Sequence, residues 1–345
     1  MNSSVTSNAL YAPLAPYASG QLDVGQGHQL YWEQCGYASG IPMVYLHGGP
    51  GSGCSPRHRQ FFDPSLCRAV LFDQRGCGRS LPRGALQHNT SDALVSDIEA
   101  LRRHLGIARW LVVGGSWGAA LAVAYAAAHP TACLGLVLRG VFLARTSDVD
   151  WFFKGAAQLL PDAWQQLSHQ APGSATDAVL QWLHAGLHGP SVEVALARVS
   201  AWEAWEQSLS LHQAIAPRSL AVGDAQAALL LDKYRLQSHY LINHCFWEPG
   251  LLSQARGLSG IPTAILHGRL DWICRAQAAW DLHHSVPGSR LHWVEGCGHN
   301  PFEPSMASAL VATIKHFGTH GNFLHWGGHF SHAKMAQAAC RIAVH

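Results

Sequence analysis

The run Gly114-Gly115-Ser116-Trp117-Gly118 constrains this 345-residue chain more than any other. It joins a short β-rich run at 111–113 to an alanine-rich helical pattern over 117–128, which Pro130 ends. A serine on so tight a strand-to-helix turn adopts a strained backbone, and the residues two before and two after it must lack bulk. Gly114 and Gly118 meet that demand. The small side chains of 117–128 allow the helix to pack closely on a sheet.

The rest of the chain repeats the strand-to-helix rhythm. Strands are predicted at 29–35, 43–46, 69–72, 111–113, 134–138, 263–266 and 290–294, and helices at 91–105, 117–128, 276–284 and 306–317. In the first helix apolar residues recur at 94, 95, 98, 101 and 105, with acids early and bases late, as the helix dipole favours. Alternation of this kind builds a mostly parallel sheet flanked by helices, an α/β class. The rhythm stops over 144–258, where Trp-, Gln- and Ala-rich helical stretches suggest an inserted cap. The expected organisation is a core at 1–143, a helical cap at 144–258, the second part of the core at 259–318, and a His-rich tail at 319–345.

Composition narrows the function classes. Hydrophobic residues make up 48% and charged residues 13%, enough apolar material for a large core and too little charge for disorder. Net charge is +2 with no long basic run, so neither nucleic acid nor an anionic membrane surface has an electrostatic footprint. Nine scattered cysteines, an odd number with no C-x-x-C spacing, fit a reducing cytoplasm better than a disulfide framework. The first twenty residues lack a charged start and apolar run, and no segment reaches the ~18 apolar residues of a span. A cytoplasmic location is the expectation. Nothing in the sequence sets an oligomeric state.

A serine hydroxyl becomes a nucleophile when a base takes its proton, and on this kind of turn the partners follow in the order serine, acid, histidine. Asp271 lies just past the strand at 263–266, and His299, in Gly296-Cys297-Gly298-His299-Asn300, lies past the strand at 290–294. Both therefore reach the sheet edge that carries Ser116. With 23 histidines in the chain, position decides the choice: His267 and His292 sit at or within strands and read as packing or satisfied polar groups. His47-Gly48-Gly49-Pro50-Gly51 follows the strand at 43–46, and its glycines allow backbone N–H groups to approach an oxyanion. The N–H groups of Gly49 and Trp117 are the expected oxyanion hole. The loop lacks the spacing of a nucleotide-binding glycine motif. The fold class these features define is the α/β-hydrolase fold with an inserted helical cap. The tail histidines 320, 325, 329 and 332 offer metal-ligand chemistry, but a peripheral tail is the preferred reading, and no metal site is assigned.

Three longer runs carry a resemblance: H-G-G-P-G at 47–51, D-Q-R-G-C-G-R-S at 73–80 and G-G-S-W-G at 114–118 resemble the proline iminopeptidase family, serine-type prolyl aminopeptidases. The similarity spans roughly 17–317 and includes C-S-P-R-H-R at 54–59, L-R-G at 138–140 and W-E-A-W-E at 202–206. It implies a serine exopeptidase that takes peptides with an amino-terminal proline and needs no metal or organic cofactor. It also implies that Glu206, on the cap, binds the substrate's free amino group. Two positions depart from the family pattern: Gln237 stands where a second glutamate is expected, and Leu241 replaces an aromatic of the proline pocket. Glu203, one helical turn before Glu206, is a candidate to restore the charge. Phe142, Phe152 and Phe153 at the cap entry are candidate pocket walls or cap core. The departures keep open a capped hydrolase acting on esters or non-proline aminoacyl amides. The alternative of another class is a non-catalytic binding protein on the same fold.

Overall fold

The computed structural model describes residues 9–247, 250–327 and 330–331. The strands among them are β1 (Ala18–Asp23), β2 (Gln29–Gly36), β3 (Ile41–Leu46), β4 (Cys67–Phe72), β5 (Trp110–Gly115), β6 (Cys133–Arg139), β7 (Thr263–Gly268), β8 (Arg290–Val294) and β9 (Phe330–Ser331). They form one sheet in the order β1-β2-β4-β3-β5-β6-β7-β8-β9. From β4 to β8 every pairing is parallel, while β1, β2 and β9 join antiparallel at the two edges.

The chain runs outward from β3 to β4 and then returns to the other side of β3 as β5. At such a reversal the connecting loops diverge, which leaves a crevice at the carboxyl ends of the strands. Register brings those ends level, pairing Leu46 with Gly114, Gly115 with Arg139, Arg139 with Leu266 and Gly268 with Val294. Five loops therefore open onto one lip.

Helices cover both faces. α1 (Ser91–His104) starts at Thr90, whose side chain accepts the Ala93 N–H at 3.3 Å, and ends in Arg102, Arg103 and His104, where the dipole favours cations. α2 (Trp117–Ala128) is buried from Trp117 to Ala126, so its alanines serve close packing against the sheet. Between β6 and β7 the chain forms α3 (Thr146–Phe153), α4 (Pro161–Ser168), α5 (Thr176–His188), α6 (Val192–Leu211) and α7 (Ala225–Ile242). These helices pack around their own buried centre, which includes Phe153, Trp202, Trp205 and Tyr234. After β7 come α8 (Ala276–Ser285) and α9 (Pro304–His320).

The predicted strands and helices all form, most of them a residue or two longer than expected. β1 was not anticipated, because its residues alternate between partial and full exposure and carry no apolar run. It is held by backbone pairing with β2 from Ala18↔Gln34 to Asp23↔Gln29. At the other end α9 extends to His320, and Phe330 pairs with Leu291 as part of an edge strand, both inside the stretch read as tail. His329 and His332 lie outside the described residues. Among the described residues, no group of three His, Cys, Asp or Glu side chains could hold a metal ion.

Buried charge ties the D-Q-R-G run to the helical layer. Arg75 forms a two-pronged pair with Asp97 of α1, at 2.6 and 2.8 Å, and both side chains are almost wholly buried. Asp97→Asn leaves the guanidinium without its counter-charge and should lower unfolding free energy by about 3–5 kcal/mol in urea titrations.

Candidate active site

Ser116 sits on the turn from β5 to α2 with φ 57° and ψ −123°. Its N–H donates to the Arg139 carbonyl at 2.9 Å, which fixes the turn against β6. A β-carbon at Gly114 would collide with the Gly118 carbonyl, and one at Gly118 would collide with that of Leu46. The two glycines are thus required by backbone approach, as the motif implies. No side chain caps α2; the Ser116 carbonyl accepts the Ala119 and Ala120 N–H groups at 2.9 and 3.3 Å, while the N–H groups of Trp117 and Gly118 precede the first intrahelical bond.

The glycine loop after β3 lies against this turn. A β-carbon on Gly48 would stand 3.5 Å from Ser116 Cβ, and Gly49 takes a φ of 119° that side chains rarely adopt. Buried His47 organises the loop: its Nε2 accepts the Gln74 backbone N–H at 3.0 Å, so its Nδ1–H donates to the Gly48 carbonyl at 2.9 Å. Burial pushes the His47 pKa down, consistent with this neutral ring. The Gln74 side chain completes the tie. Its amide nitrogen donates to the His47 carbonyl at 3.0 Å, and its oxygen accepts Trp117 Nε1–H at 3.0 Å.

On the same lip His299 Nδ1–H donates to Asp271 Oδ2 at 2.7 Å. Loop–loop hydrogen bonds set this geometry: Arg269 N–H reaches the Val294 carbonyl and Leu270 N–H the Cys297 carbonyl, at 3.0 and 2.9 Å. Glu303 accepts the N–H groups on either side of His299, from Gly298 and Asn300, at 3.1 and 3.2 Å. Burial opposes ionisation of Asp271, but the adjacent His299 ring and its hydrogen bond, His267 and the Cys274 N–H outweigh it. They hold the carboxyl below its ordinary range. His267 is, as expected, a satisfied buried group: Nδ1 accepts from Val141 N–H at 3.2 Å and Nε2–H donates to the Cys274 carbonyl at 2.8 Å.

Ser116 and His299 line one cavity of about 270 Å³. In this arrangement the Ser116 hydroxyl faces Cys274 Sγ at 3.9 Å and makes no hydrogen bond to the imidazole. Burial raises the Cys274 pKa, which keeps it a neutral thiol. Gly48, Gly49, Phe142, Phe152, Phe153, Glu206, Gln237 and Leu241 also face the cavity, so the helical insertion supplies part of its wall. Trp117 does not line it; its indole is buried against Gln74, Tyr240 and Trp247.

Glu203 does not supply the missing charge, because it turns away to Arg218 at 3.1 Å. Gln237 also differs from expectation. Two oxygens would repel at its 2.6 Å contact with Glu206, so the amide nitrogen faces the carboxylate, and Oε1 remains buried without a partner. Arg139, Cys274 and Lys233 are lining residues that the sequence reading passed over. Lys233 could have been found, since it stands four residues before Gln237 and shares its helix face.

A largely parallel sheet with a glycine-flanked serine at its switch point defines an α/β hydrolase, and the family model for the alpha/beta hydrolase fold matches residues 41–305. A proline iminopeptidase of Xanthomonas citri is 43% identical over 312 residues, covering 89% of this chain and 99% of that protein. One from Arabidopsis thaliana is 42% identical over 311 residues, covering 89% of this chain and 81% of the other. The chain belongs to the proline iminopeptidase family. Among solved structures, a proline iminopeptidase from Mycobacterium smegmatis superposes with a TM-score of 0.62 at 17% identity, over 88% of this chain and all of the other. An esterase from a Rhodococcus species gives 0.56 at 19% identity, over 90% and 99% of the two chains. At such identities the likeness concerns the fold alone.

The Gln74 tie can be tested by itself. Trp117→Phe strips the buried Gln74 oxygen of its donor and should cost about 1–3 kcal/mol, read as a lower urea midpoint.

Proposed function

We propose that this chain is a serine exopeptidase that releases an amino-terminal proline from peptides through an acyl-enzyme. The observation that carries the reading is the 2.7 Å bond between His299 and Asp271 on the lip of the cavity that holds the Ser116 hydroxyl. The family membership and the names of the relatives support the substrate class.

Ser116 Oγ attacks the carbonyl of the first residue while His299 Nε2 takes its proton. The attack requires the hydroxyl to swing from Cys274 to the imidazole, a contact that commonly tightens only once substrate is bound. Asp271 holds the ring with Nδ1 protonated and offsets the charge that develops on it. The N–H groups of Gly49 and Trp117 receive the oxyanion, each donor contributing about 2.7–4 kcal/mol in such sites. His299 then gives its proton to the departing amine. Water, deprotonated by the same ring, releases proline from Ser116.

The 144–258 segment acts as a cap over this edge. Glu206 and Gln237 receive the amino end, and Phe142 walls the pyrrolidine ring, which restricts cleavage to the first residue. No nucleic acid or membrane partner enters the reaction. No helix among the described residues is long and apolar enough to cross a membrane. The eight described cysteines are all free, which supports placing the protein in the cytoplasm.

Hydrolysis of prolyl-2-naphthylamide tests the proposal. Ser116→Ala and Asp271→Asn should each lower kcat by about 10⁴-fold or more. Wild-type turnover retained in Ser116→Ala would overturn it.

A further inference from the structure

Lys233, Gln237 and Leu241 recur at four-residue spacing on α7, and all three face the cavity that holds Ser116. Lys233 Nζ is bound to Glu206 Oε2 at 2.8 Å. Tyr234 donates its hydroxyl to the same oxygen at 2.8 Å, and the Gln237 amide fills Oε1 at 2.6 Å. Oε2 therefore carries two donors, one of them cationic, and Oε1 carries one.

The other carboxylate lining the cavity is no more available. Asp148 is gripped through two nitrogens of Arg145, at 2.8 and 2.9 Å, and by Arg275 at 3.2 Å. Arg139, by contrast, is buried at the cavity wall and, among the described residues, forms no ion pair with a carboxylate; its Nε has no hydrogen-bond partner. Burial pushes His58, another lining group, down to about 3, so it adds no charge. Another polar atom left without a partner is the buried Gln237 Oε1, an acceptor without a donor.

We propose that Lys233 is a specificity-determining residue, whose ammonium competes with a substrate's cationic amino end for Glu206, and which thereby widens the site from proline to an uncharged five-membered lactam. The inference rests on Glu206 and Gln237 as the site of the substrate's amino end. A prolyl group's cationic amine has to share the carboxylate with the Lys233 ammonium, a like charge already bound at Oε2, or displace it. A 5-oxoprolyl group has the same ring size but carries a neutral N–H, which suits Gln237 Oε1, and a ring carbonyl, which suits the Lys233 ammonium. No charge has to be exchanged for it to bind.

Calorimetric binding of L-prolinamide and 5-oxoprolinamide to the Ser116→Ala protein tests this without turnover, so failure of the catalytic proposal leaves the readout intact. Lys233→Met should tighten prolinamide by at least about tenfold and weaken 5-oxoprolinamide by about fivefold or more. Lys233→Arg, which keeps the charge, should retain the wild-type order of affinities. Circular dichroism checks that each variant is folded; should Lys233→Met fail to fold, Lys233→Gln carries the same expectation. Unchanged or weaker prolinamide binding in the neutral variant, parallel loss of both ligands, or no 5-oxoprolinamide binding to the unaltered cavity would each overturn the proposal.

Discussion

One amide side chain holds the catalytic edge together. Gln74 bonds to the His47 carbonyl and to the Trp117 indole, while its own backbone N–H enters the His47 ring. Three loops from β3, β4 and β5 are joined by these contacts, all of them buried, where an unmet donor or acceptor is costly. The glycine loop and the serine turn therefore take their positions from one another. The remainder of the D-Q-R-G-C-G-R-S run supports this arrangement: Asp73 accepts the N–H groups of Cys54 and Arg79, and Arg79 bridges Asp73 to Glu33.

The fold was legible where local sequence dictates local structure. Gly114 and Gly118 are demanded by contacts within a few residues or across one strand, so the motif announces the turn. The placement of Asp271 and His299 on one lip was legible from the strands they follow, since a parallel sheet presents every such loop on one side. β1 was not legible, because its half-exposed alternation resembles a loop until β2 is beside it. Arg139 and Cys274 escaped notice for a related reason. Their importance comes from which loops meet in space, and neither stands out within its own stretch.

The cap shows the same divide more sharply. Glu206 could be singled out by motif, but its partner Lys233 lies on the next helix, 27 positions along the chain. Neither composition nor periodicity reports a pairing between two helices of a bundle. The Gln237 amide illustrates a further limit: it stands where a second glutamate is expected, and the Glu206 carboxylate fixes which end of the amide faces it.

Helix α7 is also fastened to the core. Tyr240 donates to Asn89 Oδ1 at 2.6 Å and packs on Trp117 with ring centroids 4.8 Å apart, and Gly51 approaches the Lys233 backbone too closely to carry a side chain. Its backbone is thus referenced to the core, whereas residues 233, 237 and 241 face the cavity. Diversification within such a lineage need not rebuild loops or shift a lid. Exchanging a few side chains along one stripe can redirect the enzyme to new acyl groups while the bond-breaking parts stay as they are.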